Sequence, residues 1–201
     1  MKRLVIILAC MMCTISMNSQ EHLKFYNIPI DGDLKTAVKL VKNELGLKGI
    51  RIKNIGALMG EIDGDEVMVA LIGAPESKIW CCAFVSYNVA ENWDEVWKKY
   101  QTINATLKAQ YGEPAEVTEK WEAPYSLTNN PILALQEGKA KIESIYVSEQ
   151  GFITAQISGS NSVMVAYVDK INITMLHENE GGFDKMLKGL ENVDALINEE
   201  E

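Results

Sequence analysis

The sequence predicts an α+β fold in which an antiparallel sheet is packed by amphipathic helices, and three observations predict it. Apolar residues recur at helical spacing in separate stretches, as at Leu34, Ala37, Val38, Val41 and Leu45. Strand-like runs follow one another with only a few residues between them, too few for the crossover that parallel pairing needs. Turn chemistry fills the gaps, most clearly at Asp63-Gly64 between two apolar runs. Helices with an apolar stripe beside such strands have to bury it on a sheet face. The tetrapeptide Val-Met-Val-Ala occurs at 67–70 and again at 163–166, each time after a glycine-containing turn. Chance, a packing habit and a duplicated helix-plus-three-strand unit are the three readings of that match.

In chain order, a short extended stretch over Leu23 to Ile30 closes in a turn at Pro29-Ile30-Asp31-Gly32. Asp33 then caps a helix that Gly46 ends. Strands are expected over 49–53, 57–62, 67–72 and 78–87; the last is apolar on both alternating faces, as a covered central strand would be. Asn92, with Glu95 three residues on, opens the longest helix in capping-box position. Its stripe runs Trp93, Val96, Trp97, Tyr100, Ile103, Leu107, Tyr111, and Gly112 and Pro114 stop it. A strand over Ala115 to Trp121, a loop over Ala123 to Asn130 and a short helix from Pro131 follow. Strands over 140–148, 151–158 and 163–168 close the pattern, before a last helix with its stripe from Phe183 to Ile197.

The first residues read as an address. Lys2 and Arg3 precede an apolar run from Leu4 to Met17 and a polar exit at Asn18-Ser19-Gln20, the layout of a secretory signal peptide over 1–19. That run is too short to span a bilayer comfortably. Cleavage is expected after Ser19; lipidation at Cys10, behind Ile7-Leu8-Ala9, is the rival. Residues 20–201 are then one α+β domain, with halves at 20–122 and 123–201. Losing Lys2 and Arg3 takes the formal charge from −9 to about −11. No basic cluster is left to grip phosphates, so nucleic acid and anionic membrane surfaces are poor partners. Cys81 and Cys82 are the only cysteines beyond the signal, which excludes a disulfide scaffold and a cysteine-based zinc site. They are expected as small sheet residues on opposite faces.

Chemistry-bearing patterns are scarce. His22 and His177 are the two histidines, each expected at the surface without metal-ligand company. No nucleophile elbow, P-loop or dinucleotide fingerprint occurs. Glu61, Asp63, Asp65 and Glu66 form the densest acidic group without calcium-loop spacing, and Ser158-Gly159-Ser160-Asn161-Ser162 reads as a hairpin connector. The stripe Trp93, Trp97, Tyr100, Tyr111 could serve as a carbohydrate platform, but its helical period marks it as core. Trp121 and Tyr125, beside Pro124, are the candidate partner-binding aromatics. No catalytic residue, cofactor or metal is expected.

The stretch Phe25-Tyr26-Asn27-Ile28-Pro29-Ile30-Asp31-Gly32, the helix end at Tyr111-Gly112-Glu113-Pro114, and Tyr167, Asp169 and Asn172 resemble motifs of small exported proteins of unknown function common in Bacteroidota. The resemblance implies export and an α+β fold and carries no catalytic residue. The layout is also similar to β-lactamase-inhibitor-like and PepSY-like modules, which act by binding. The expected role is therefore non-enzymatic: an exported protein, periplasmic or secreted, that binds a macromolecule or envelope component through a sheet face or loops. A hydrolase using paired carboxylates and a structural or lipid-tethered envelope subunit are the alternatives.

Overall fold

The computed structural model describes residues 21–74, 78–88 and 92–177, with side chains as far as Ile173. The expected signal peptide and the helix expected from Phe183 lie outside the described residues. An antiparallel sheet of eight strands dominates, as the sequence predicts. Its first four strands are β3 (Lys48–Ile52), β4 (Ile55–Ile62), β5 (Asp65–Gly73) and β6 (Trp80–Asn88). Its last four are β7 (Glu116–Trp121), β8 (Ala140–Val147), β9 (Gly151–Ile157) and β10 (Ser162–Asp169). They lie in the order β3-β4-β5-β6-β10-β9-β8-β7, so two meanders meet where β6 pairs with β10.

Each meander of four strands follows a helix, α1 (Leu34–Leu45) or α2 (Trp93–Tyr111), and both helices pack on one sheet face. The Asp33 side chain accepts from Thr36 N at the head of α1, and Gly46 ends it at φ 67°. The Asn92 side chain accepts from Glu95 N at the head of α2. Alternation along β5, β6 and β10 sends Val67, Val69, Leu71, Val85, Val163 and Val165 under the helices, all nearly or fully buried. Gly56 lets α1 approach: a Cβ there would lie 2.4 Å from Val38 Cγ2.

The repeated tetrapeptide has a specific place. Both copies flank β6 in the same register: Val67 and Val163 face Tyr87, Met68 and Met164 face Ser86, Val69 and Val165 face Val85, and Ala70 and Ala166 face Phe84. One copy lies on the third strand of its meander and the other on the fourth, so they are not equivalent positions of a doubled unit. Like environments on the two sides of one strand account for like residues. Each meander has the four strands expected from the sequence, one more than the duplicated unit would hold.

Three further departures have physical causes. Leu23 to Ile30 is a hairpin of β1 (Lys24–Phe25) and β2 (Ile28–Pro29), too short to show alternation. After a small helix, α3 (Pro131–Gln136), the last described element is α4 (Lys170–His177), where no helix is expected from the sequence. Ile171, Ile173 and Thr174 are β-branched and read as strand. Cys81 and Cys82, expected on opposite faces, are thiols in one apolar cluster with Ile72 and Phe84 on the second sheet face. The register shift between Ile72 and Gly73, opposite Trp80, breaks the alternation there. Burial pushes the Cys81 thiol up to about 11, and that of Cys82 well above its ordinary value.

Candidate functional site

The β1–β2 hairpin turns on two residues, Tyr26 and Asn27, at φ 46° and 67°. That is the left-handed pair of a tight hairpin, natural for asparagine and strained for tyrosine. The Tyr26 phenol lies against β6, with its hydroxyl 2.7 Å from that of Tyr87, a contact that offsets the strain. Phe25, fully buried, anchors the hairpin through edge contacts at 6.3 Å to Trp80 and 5.4 Å to Tyr167.

Between this hairpin and α2 lies a cleft of about 440 Å3. Its floor is the sheet, through Ile62, Asp65, Tyr87, Val165 and Tyr167. One wall is a face of α2, where Lys99, Thr102, Ile103, Thr106 and Gln110 recur at helical spacing. Tyr26 and Asn27 form the opposite wall, with Lys24 and the Asp63 turn beside them. Lys99 Nζ lies 2.5 Å from Asp65 Oδ1 and 5.9 Å from the Tyr87 ring centroid. Tyr26, Tyr87 and Tyr167 are all pushed above the ordinary phenol value, chiefly by burial. At neutral pH they are uncharged hydroxyls with aromatic faces, able to donate and to accept.

A second cluster lies at the far end of β10. Asp169, fully buried, accepts from Leu23 N at 2.8 Å, Ile171 N at 3.0 Å and Asn172 N at 2.9 Å. It thereby caps α4 and ties down the entry to the hairpin. His22, expected at the surface without such company, has Nδ1 3.2 Å from Asp169 Oδ1 and Nε2 3.7 Å from Asp31 Oδ2. Asp31 is near in sequence, but only the fold brings Asp169. Asn172 donates to Ile30 O and Trp80 O. The Tyr167, Asp169, Asn172 stretch is thus a clasp between the chain's beginning and the sheet.

The acidic group from Glu61 to Glu66 is split between the two sheet faces. Asp63 and Asp65 both line the cleft, whereas Glu61 and Glu66 are paired neighbours on the opposite sheet face. Among the described residues, no group of three His, Cys, Asp or Glu could hold a metal ion. The Trp93 and Trp97 rings stack at 5.7 Å against the core.

Trp121 and Tyr125 lie apart from the cleft, at the edge strand β7 and the turn after it. The half-buried Trp121 donates to Glu119 Oε1 and meets Trp93 edge-on at 6.2 Å. Tyr125 donates to Glu137 Oε2 at 2.6 Å. Sequence reasoning missed Tyr26, Tyr87, Tyr167 and Lys99, which stand on four elements and share no local motif. The one local signal was tyrosine in a turn that prefers glycine or asparagine. No family model, no curated protein and no solved structure matches this chain.

Proposed function

We propose that this chain is an exported, non-enzymatic binding protein that holds an envelope component or another extracellular macromolecule in the cleft between α2 and the hairpin. The observation that carries the reading is the state of the cleft's polar groups. Asp65 is paired with Lys99, and the phenols are held protonated chiefly by burial. A general base needs a free lone pair near its working pH. These groups are instead arranged as fixed donors and acceptors, the usual furniture of a binding pocket of this size. The export part rests on the positive start and apolar run of residues 1–19.

The test begins with protein isolated from the envelope or medium, whose N-terminus reads Gln20 if the proposal holds; a diacylated Cys10 overturns the free-export part. That protein co-sediments with insoluble envelope material, and Thr106→Trp, which fills the cleft from its solvent edge, does not. Steady release of soluble product from that material, dependent on Asp63 and Asp65, would establish a hydrolase instead.

A further inference from the structure

Resting on that reading, we infer that the cleft's ligand is a neutral, hydroxyl-rich ring: a sugar unit of a glycan. The charges come first. Lys24 and Lys99 are matched by Asp63 and Asp65, and the Lys99–Asp65 pair is closed. A phosphate or carboxylate ligand would have to break that pair or rely on Lys24 alone, in a protein already strongly acidic. A lipid tail fails for the opposite reason. It would lay hydrocarbon against the Lys99–Asp65 ion pair and against phenols whose remaining hydrogen-bonding capacity would go unmet. A peptide main chain normally binds by extending a sheet edge, but the strands under the cleft are central. The floor residues on β6 and β10 have paired strands on both sides, so no row of backbone donors is open to a peptide.

A sugar ring meets each feature. Its C–H face carries the partial positive charge that suits an aromatic face, and its hydroxyls match groups that both donate and accept. The Tyr26 and Tyr87 hydroxyls spend one proton on each other, leaving one proton and several lone pairs for a ligand. The cavity, about 440 Å3, is of the size that takes a small organic ligand.

Isothermal titration of the purified protein with cellobiose, maltose and N,N′-diacetylchitobiose tests the inference, with digalacturonate, dodecanoate and a neutral capped tetrapeptide as competing probes. At least one neutral disaccharide binds with Kd below about 1 mM. Tyr87→Phe weakens it about tenfold, because a site built around a hydroxyl is left unpaired, and Thr106→Trp abolishes it. Gln110→Trp, on the same exposed helix edge, replaces Thr106→Trp if that variant misfolds. Binding of dodecanoate, the peptide or the anionic sugar without any neutral one overturns the ligand class and leaves the binding reading standing. Disaccharide binding untouched by either tryptophan overturns the location. No binding by any probe overturns the ligand class, and envelope co-sedimentation that the tryptophans do not reduce overturns the binding reading as well.

Discussion

A carboxylate with no exposed surface has to be compensated by donors, and Asp169 is compensated by three backbone N–H groups and by His22. Two of those donors belong to the first turn of α4 and one to the strand entry at Leu23. Removing the side chain takes away a helix cap and leaves a buried N–H at Leu23 without an acceptor. Asp169→Ala therefore destabilises the protein by about 2–4 kcal/mol, read as a lower urea midpoint at unchanged slope. Asp169→Asn keeps one carbonyl acceptor and loses about half as much. A loss below about 1 kcal/mol for the alanine variant would show that water or a neighbouring group replaces the carboxylate. None of this was visible in the sequence. Tyr167, Asp169 and Asn172 stood out only as a resemblance, because the donor at Leu23 lies 146 residues away.

Elements were legible where their signals are local. The heads of α1 and α2 follow from Asp33 and Asn92, the β4–β5 turn follows from Asp63-Gly64, and β6 follows from its two apolar faces. Helix α4 was not legible, since β-branched residues mask a helix that its cap and Asn172 impose from outside. The seat of α1 is likewise a matter of contact rather than pattern. Gly56 sits on the covered face of β4, and the missing Cβ is what admits Val38. Gly56→Ala pushes α1 outward and costs about 1–3 kcal/mol by overpacking. The double variant with Val38→Ala recovers most of that loss, because it removes the clashing methyls. Equal losses in the single and double variants would mean that the strand, not the helix contact, requires glycine.

The cleft exists only at the scale of the whole molecule. Tyr26 comes from the first hairpin, Tyr87 from the end of the first meander, Tyr167 from the last strand and Lys99 from the helix between them. The antiparallel class could be read from turn spacing. The pairing of β6 with β10, which joins the meanders and lays the floor of the cleft, has no local signature. The same convergence makes the fold sensitive to base. Burial raises the folded-state pKa of Tyr26, Tyr87 and Tyr167 above that of an unfolded phenol, about 10. The folded chain thus keeps protons that the unfolded chain releases, so stability falls as pH rises through and beyond that value and is fully present below it. Urea midpoints are expected to be flat from neutral pH to about 9 and to drop above about 10, with the phenolate absorbance of the buried tyrosines appearing together with unfolding. Tyr87→Phe removes the group with the strongest resistance to ionisation and makes the alkaline fall shallower, even though the variant starts lower at pH 7 for want of its bond to Tyr26. An alkaline profile parallel to that of the parent would place the fall on the lysines and show that the buried phenols do not couple the hairpin to the sheet.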